Sequence, residues 1–304
     1  MREQADGLVV TGTFMLAHLS DPHLPPLPAP RLSELIGKRA LGYLNWTRNR
    51  HNYHRRDVLD TLVSDMQAQV PDHIALTGDL VNLALEAEFA PSLAWLQSVG
   101  PPDRVTTIPG NHDTYVRATR YRFKESWNPY LRGDEAAQVT FPFLRRRGPL
   151  ALIGLSTAVP TPLLMATGTL GQLQIEALER VLSGLAGDDA FRVLLMHHPL
   201  RSRSRIKRLT DASALRDVLK DHGVDLVLHG HDHIHSTIWI EGPNREIPVV
   251  GVPSASARAH ANLPAAAYNL FSVARDGNAW RCDQMVRGID DKLQVREIRR
   301  VRLI

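Results

Sequence analysis

The chain has one cysteine, few aromatic residues and no long apolar run. Among its 304 residues Cys282 has no partner, and Phe, Trp and Tyr together make up 6%. A single cysteine excludes an internal disulfide, and no segment approaches the roughly 20 consecutive apolar residues that a membrane-spanning helix needs. The opening MREQADGLVV lacks the basic region and apolar core of a secretory signal. These features predict a globular protein in the cytoplasm.

The charge balance is mild and histidine is frequent. The formal net charge is +4, 43% of the residues are hydrophobic and 14 are histidines. This net charge does not indicate a nucleic acid partner, although it is compatible with a small anionic substrate. The apolar content is sufficient for a sizeable core, and no linker or repeat is visible. We therefore treat residues 1–304 as a single domain.

Strand-like and helix-like stretches alternate along the first 235 residues. FMLAHLS is typical of a strand, residues 55–69 carry apolar side chains at helical spacing, and HIALTGDLV is again typical of a strand. The alternation continues to VDLVLHGHDH, and this order predicts an α/β fold with a mostly parallel, buried sheet. From about Ser236, strand-like stretches follow in succession, which predicts a second, more antiparallel sheet. Residues 25–56, Pro-rich and then basic, mark an insertion.

Metal-ligand side chains cluster where the predicted strands end. In an open α/β sheet these ends meet at one edge, where loops converge on a ligand. Imidazoles, carboxylates and a neutral asparagine oxygen suit a pair of divalent ions such as Mn, Fe or Zn. Each piece has a structural alternative, because Gly-Asp is a common turn and a strand histidine is often a hydrogen-bonded core residue. Their joint occurrence favours a metal site made of Asp21, His23, Asp79, Asn111, His112, Asp113, His197, His231 and His233.

Local geometry supports this interpretation. Side chains alternate along a strand, so Asp21 and His23 would point to the same side at the end of theirs. His231 and His233, two apart on an extended segment, would face one side and reach different ions. Glycines directly before Asp79, Asn111 and His231 would permit sharp turns and close approach of the backbone.

The order of the motifs resembles the calcineurin-like metallophosphoesterases. HLSDPHL, TGDLVN, IPGNHD, LLMHHP and HGHDH match the five blocks of that family over about residues 14–235. The details are most similar to the bacterial class III cyclic-nucleotide phosphodiesterases. The resemblance implies a four-layer α/β/β/α sandwich with two central mixed β-sheets, whose second sheet would include the strands after about residue 236. It also implies a binuclear metal site at the upper edge of the sheets.

The resemblance also implies a role for each candidate. Asp21, His23 and His233 would hold one ion, and Asp79 would bridge it to the other. Asn111, His197 and His231 would hold the second ion.

A metal-bridging hydroxide would attack a phosphodiester in line, because bound metal can lower the pKa of water to about 7. His112 would face the phosphate and stabilise the transition state or protonate the leaving oxygen. Asp113 would orient the His112 ring and favour its imidazolium form.

Three functions follow from this set. The first is hydrolysis of a phosphodiester, either a cyclic nucleotide or a related small diester. The second is a phosphatase or pyrophosphatase acting on a lipid-linked or nucleotide-linked substrate at the inner membrane surface. The third is a non-catalytic scaffold, which the complete ligand set disfavours.

Two basic regions bear on substrates and partners. Arg201, Arg203 and Arg205 follow His197 and are expected to bind a second anionic group of the substrate, the alternative being a solvated face. Residues 31–56 could form a cap beside the site, a peripheral membrane contact, a homodimer contact or a helical hairpin packed on the domain. Aromatic residues are sparse in the basic runs, so no specific nucleic acid is expected.

Overall fold

The computed structural model describes residues 12–202 and 204–304. Strands occupy twelve segments of this part: β1 (Phe14–Leu19), β2 (His73–Leu76), β3 (Val105–Thr107), β4 (Phe143–Arg147), β5 (Leu150–Gly154), β6 (Phe191–Leu195), β7 (Leu226–His229), β8 (Ser236–Ile240), β9 (Ile247–Gly251), β10 (Ala267–Asp276), β11 (Ala279–Ile289) and β12 (Val295–Arg302).

The α-helices of the same part are α1 (Lys38–Asn45), α2 (His51–Tyr53), α3 (Arg56–Ala68), α4 (Glu86–Val99), α5 (Arg122–Ser126), α6 (Asn128–Leu131), α7 (Gln172–Gly184) and α8 (Ala212–His222). Short 3-10 helices cover Leu32–Glu34 and Arg117–Thr119, and a π-helical turn covers Trp46–Arg50. None of the helices in the described residues combines the length and apolar character needed to span a membrane.

The strands form two six-stranded mixed sheets. The first has the order β12-β11-β10-β1-β2-β3, in which β1, β2 and β3 run parallel and β10 joins β1 antiparallel. The second has the order β4-β5-β6-β7-β9-β8, in which β5, β6, β7 and β9 run parallel. The predicted α/β character and the two mixed sheets are confirmed.

The division of strands between the sheets differs from the expectation. The strands after residue 236 do not build a second sheet: β8 and β9 extend the sheet of β7, whereas β10, β11 and β12 extend the sheet of β1. The parallel strands before residue 236 are likewise shared between both sheets. Periodicity identifies a strand but not its partner, because pairing depends on contacts between residues far apart in sequence.

Three apolar clusters define four layers. One lies between the sheets and contains residues of both, such as Leu16, Leu152 and Phe271. The others lie between each sheet and its helices, one around α3 and α4 and one around α7 and α8. Alternate residues of the parallel strands serve the inner and outer clusters, since both faces of each sheet are covered. The result is an α/β/β/α sandwich.

The insertion forms a helical segment beside the end of the first sheet. Trp46 and Arg39 are buried, and the Arg39 guanidinium donates to the carbonyl oxygens of Leu83 (3.0 Å) and Ala84. Arg55 N donates to Ser256 O at 2.8 Å. These contacts attach the insertion to the loops that carry the candidate site.

Candidate metal centre

The candidate ligands lie in the loops that leave the parallel strands. Asp21 and His23 follow β1, Asp79 follows β2, and Asn111 follows β3. His197 follows β6 in the other sheet, and His231 and His233 follow β7. Because both sheets present the carboxyl ends of their parallel strands to the same edge, all seven side chains converge there.

The first group of side chains is close enough to share one ion. His233 Nε2 lies 3.1 Å from Asp21 Oδ1 and 3.2 Å from His23 Nε2. His23 Nε2 lies 3.7 Å from Asp79 Oδ2. Three nitrogen and oxygen atoms of the types that bind divalent transition metals therefore surround one point beside Asp79.

A second group lies on the other side of Asp79. His197 Nε2 is 3.3 Å from Asp79 Oδ2 and 3.2 Å from Asn111 Oδ1. One ligand atom of His231 lies within 4.8 Å of ligand atoms of Asp79 and His197. His231 Nε2 is buried, and no described residue forms a hydrogen bond with it. A buried imidazole nitrogen without a protein partner fits a metal ligand, because it is otherwise left unsatisfied.

The two carboxylates are oriented by backbone N–H groups. Asp79 Oδ1 accepts from His112 N (2.7 Å), which leaves Oδ2 facing both groups of ligands. Asp21 Oδ2 accepts from His231 N (3.0 Å), which leaves Oδ1 facing His233. The position of Asp79 between the groups is the one that a bridging ligand requires.

Five of the seven candidates have left-handed backbone conformations. The φ angles are 52° at Asp21, 39° at His23, 57° at Asp79, 71° at His231 and 56° at His233. This region is uncommon for residues other than glycine and concentrates at functional sites. The expectation that strand alternation aligns these pairs is therefore wrong: β1 and β7 have ended, and strained turns direct the side chains.

Two glycines allow the loops to approach each other. A Cβ atom on Gly110 would overlap the Asp79 side chain, and a Cβ atom on Gly230 would overlap Ser20 and Asp21. The predicted close approach before Asn111 and His231 is confirmed at both positions.

Backbone carbonyls set the ring orientation of two histidines. His197 Nδ1 lies 2.6 Å from Thr77 O, and His23 Nδ1 lies 3.3 Å from Val81 O. Since a carbonyl oxygen only accepts, each Nδ1 carries a hydrogen, and Nε2 is the nitrogen that faces the site and would bind a metal ion.

At most positions the pKa shifts favour the unprotonated form of the side chain, which is the form that binds a metal ion. Burial lowers the pKa values of His23 and His231 well below the usual range. Burial opposes the charge on Asp79, but His197 and His112 hold its pKa well below the usual range. Burial also opposes a charged His197, yet Asp79 and Asp21 raise its pKa to about 10. A cation at this position would compete with the proton on His197.

His112 faces the cavity, but its partners differ from the expectation. Its Nδ1 lies 2.5 Å from Asn82 O, and its Nε2 lies 3.3 Å from Arg50 Nη1. Burial lowers the pKa of His112 to about 4, against the attraction of Asp79 and with the help of the Arg50 charge. In this structure His112 is thus neutral, and Arg50 carries the positive charge beside it.

Asp113 has a different role from the one predicted. Its carboxylate accepts from the backbone N–H groups of Gly110 (2.7 Å), Asp79 (2.8 Å) and Val81 (3.1 Å), and not from the ring of His112. Burial and then the Asp79 charge raise the pKa of Asp113 to about 8. Asp113 joins the loops after β2 and β3, because backbone donors there have no other nearby acceptor.

His54 belongs to the site, although sequence reasoning missed it. It is buried, its Nδ1 lies 2.8 Å from Ser256 Oγ, and Arg50 Nη2 lies 3.3 Å from its Nε2. Ligand atoms of His54, His23 and His233 lie within 4.8 Å of one another. His54 lies in the insertion rather than after a strand, so the strand-end pattern could not identify it.

The arginines predicted to contact substrate are placed differently. Arg201 lines a neighbouring cavity, which shares Lys207 and Asp232 with the site cavity. Arg205 is exposed and is not among the described residues of the site cavity. Arg203 lies outside the described residues. Lys207 from the same loop does line the site cavity. The spacing of charged residues along this loop did not predict which of its cationic side chains lines the site cavity.

The central cavity has a volume of about 210 Å³ and adjoins the ligand groups. Part of its wall comes from the insertion through Asn45, Arg50 and Tyr53, so this segment lies beside the site. The other described residues that line it are Asp79, Asn111, His112, Ala166, Lys207, His231, Asp232, His233 and Leu263.

The family model for calcineurin-like phosphoesterases matches residues 14–235. The chain belongs to this family. The predicted family and fold are confirmed. The family uses a divalent metal centre, and the His and Asp clusters described above fit one.

Several known proteins are similar to the chain. A probable cyclic nucleotide phosphodiesterase from Rhodococcus erythropolis is 26% identical over 193 residues, which cover 62% of this chain and 59% of that relative. The chain thus matches less than two thirds of the relative's length.

Solved structures show the same fold. A dimetal phosphatase from Danio rerio has a TM-score of 0.59 at 12% identity, with 94% of this chain and 98% of that chain covered. A purple acid phosphatase from yellow lupin has a TM-score of 0.60 at 14% identity, with 94% and 53% covered.

Proposed function

We propose that the protein hydrolyses phosphodiesters, either cyclic nucleotides or related small diesters, with two divalent ions of Mn, Fe or Zn. The observation that carries this proposal is the convergence of six ligand side chains on both sides of Asp79, with His112 and Arg50 at the same cavity. Similarity to a probable cyclic nucleotide phosphodiesterase supports a diester substrate.

Metals and protein contribute differently to this reaction. When bound, the ions supply water activation and neutralise charge on the phosphoryl oxygens. Asp21, His23 and His233 would hold one ion. The other ion would be held by Asn111, His197 and His231, and Asp79 would bind both ions. The carbonyl oxygens of Thr77 and Val81 keep two imidazoles oriented for this task.

His112 and Arg50 would act on the substrate itself. The Arg50 side chain lines the cavity beside His112 and would stabilise the negative charge that develops on the phosphoryl group. An anionic phosphoryl group beside His112 raises the pKa of the ring, because it favours the imidazolium form. His112 Nε2 can then protonate the leaving oxygen.

The proton balance closes within the site. Water adds to phosphorus and the bond between phosphorus and the leaving oxygen breaks. The proton that water gives up passes through His112 Nε2 to that oxygen, so His112 is neutral before and after the reaction. Asn82 O keeps Nδ1 protonated, so the exchange takes place at Nε2.

A substrate pair tests this proposal. Hydrolysis of bis(p-nitrophenyl) phosphate and p-nitrophenyl phosphate is measured with added Mn for the wild type, Asp79→Ala and His112→Ala. We expect Mn-dependent diester cleavage that Asp79→Ala abolishes together with metal binding, whereas His112→Ala loses turnover but keeps its metals.

A control variant and two results that would contradict the proposal complete this test. Asp217→Ala, an exposed change on α8, should match the wild type. Cleavage of the monoester alone would replace the diesterase by a phosphatase. Loss of metals in His112→Ala would contradict the assigned role of that histidine.

Three other expectations stay predictions. They are the cytoplasmic location, homodimer formation and peripheral membrane contact through residues 31–56. Exposed Leu32 and Ile36 favour the last of these, because large apolar side chains at a surface are suited to an apolar partner.

A further inference from the structure

A second cleft runs outward from the metal centre, between α1 and residues 161–166. Its volume is about 350 Å³, and it shares Arg50, Asn111 and His112 with the central cavity. A group bound at the metals would therefore continue directly into this cleft.

The inner part of the cleft is cationic. Lys38, Arg50 and Lys207 line it, and no described lining residue is a carboxylate. Lys38 Nζ donates to Thr161 Oγ1 at 2.6 Å and to Met165 O at 2.9 Å, so its charge is held in place. Such a set is complementary to an anionic group near the metals.

The outer part of the cleft is apolar and exposed. Leu41, Leu163, Leu164 and Ile206 line it, with 45%, 49%, 76% and 50% of their surfaces exposed. Exposed apolar side chains that adjoin a site favour contact with an apolar ligand. Single exposed leucines are ordinary, but here three leucines and an isoleucine line one cleft.

Leu164 is also strained. Its φ angle is 62°, a left-handed conformation that is unfavourable for a residue with a side chain. The loop is held there by hydrogen bonds from Met165 N to Pro162 O (3.2 Å) and from Ala166 N to Ile206 O (2.8 Å). Backbone strain is concentrated at functional sites, and here it holds a leucine side chain in solvent instead of the core. We take this as support for a bound ligand at Leu164.

The cleft suits a hydrocarbon chain better than a nucleobase. Tyr115 is the one phenol or indole ring among its described lining residues. That ring already stacks on His112, with centroids 5.2 Å apart, and lies 4.6 Å from Lys38 Nζ. A base would find no free ring there, whereas an alkyl chain needs only aliphatic surface.

We infer that this cleft binds the hydrocarbon part of an amphiphilic phosphoester whose phosphoryl group lies at the metal centre. The inference rests on the proposed function, since it narrows the diesters of that proposal to those that carry an apolar chain. Leu41, Leu163 and Leu164 contact the chain, while Lys38 and Lys207 neutralise charge near the head group.

A chain-length series tests the inference. The substrates are p-nitrophenyl methyl, butyl and octyl phosphates, assayed with Mn below the concentration at which the octyl ester aggregates. We expect kcat/KM to rise at least ~10-fold from methyl to octyl, because each buried methylene contributes up to roughly fourfold. Equal values for methyl and octyl esters would overturn the inference and leave the proposed function intact.

Variants of the cleft residues test whether the preference for the octyl ester arises in this cleft. The octyl-to-methyl ratio of kcat/KM should fall in Leu163→Ser/Leu164→Ser and persist in Leu173→Ser, an exposed leucine on α7. Leu164→Gly should also lower the ratio, and it removes side-chain strain instead of adding it. A ratio unchanged in both cleft variants would overturn the assignment to this cleft.

Equilibrium binding tests the apolar cleft independently of hydrolysis. Calorimetry with octylphosphonate and methylphosphonate should give a Kd at least ~10-fold lower for the octyl compound. Tighter octyl binding without hydrolysis of any diester would reject the proposed function and support the cleft. A preference for octyl esters seen only on vesicles would overturn it, because the leucines would then serve surface contact.

Discussion

Arg50 Nη1 lies 3.3 Å from His112 Nε2, and this contact joins the insertion to the metal centre. The same guanidinium contacts His54 through Nη2 at 3.3 Å. One side chain of the insertion therefore fixes two histidines that face the site, and its charge lowers the pKa values of both after the larger effect of burial.

Replacing Arg50 should impair catalysis without removing metal. We expect Arg50→Ala to lower kcat on bis(p-nitrophenyl) phosphate about 10²-fold, since it removes a donor aimed at the charge that develops on phosphorus. Metal content by atomic emission should stay unchanged. Arg48→Ala, an exposed change in the same π-helical turn, is the control. Equal losses in the two variants would indicate damage to the helix instead.

Replacing His54 should weaken metal binding. His54→Ala removes an imidazole within 4.8 Å of the ligand atoms of His23 and His233. We expect about a 10–100-fold loss of affinity for one of two ions, the size typical of outer-shell partners, or more if His54 ligates directly. His51→Ala, an exposed change in the short helix that ends just before His54, is the control. Unchanged Mn titrations for His54→Ala would contradict this prediction.

Gly230 should tolerate no side chain. A Cβ atom there would overlap Ser20 and Asp21, so Gly230→Ala should displace Asp21 and lower metal content and turnover together. Gly184→Ala in α7 meets no atom within 4 Å and should be neutral or stabilising. Both are measured by metal analysis and thermal unfolding. A fully metal-loaded Gly230→Ala protein would show that the loops can separate without loss of the site.

Asp65 should stabilise the fold in a pH-dependent way. It joins α3 to Arg287 Nη2 (2.7 Å) and Tyr268 Oη (2.6 Å). Partial burial opposes its charge, but these hydrogen bonds hold its pKa below the ordinary 3.8. Its contribution is therefore complete above about pH 3.8 and disappears as the pH falls through the lower folded-state pKa.

Urea unfolding measures this contribution. At pH 7 Asp65→Asn should lower the free energy of unfolding by about 2 kcal/mol, and the difference should shrink below pH 3.8. Asp60→Asn, whose exposed pair with Arg56 is of the i,i+4 type, should cost less than about 0.5 kcal/mol. A difference between Asp65→Asn and the wild type that stays constant with pH would exclude the ionised carboxylate as its source.

Residues 31–56 can be tested for membrane contact. Leu32 and Ile36 are 90% and 74% exposed, and arginines lie nearby in sequence. We expect sedimentation with anionic phosphatidylglycerol vesicles that Leu32→Ser/Ile36→Ser reduces and that Leu173→Ser leaves unchanged. The absence of wild-type sedimentation at low salt, where basic residues bind most strongly, would reject this contact.

The candidate ligands could be predicted because their signals are local. Apolar runs mark strands, and Asp79, Asn111 and His197 follow such runs directly. The same local signals predicted a helix over residues 55–69, where the structure has α3. They did not predict β4 and β5, because the arginines at the end of β4 concealed the strand pattern.

The neighbours of the ligands could not be predicted in this way. Arg50 and His112 are 62 residues apart, and His54 and Ser256 are 202 apart. Asp113 lies next to His112 in the chain but bonds to loop backbone instead, because three N–H groups converge on it in the fold. Proximity in sequence suggested the wrong partner for this carboxylate.

The amino-acid sequence by itself determined the family, the types of ligand and the strand ends that carry them, since these depend on residue identity and short-range periodicity. Tertiary structure decided which sheet each strand joins, which cation lies beside His112 and which leucines line the outer cleft. The physical reason is that pairing, burial and charge proximity arise between distant segments, and only packing brings those segments together.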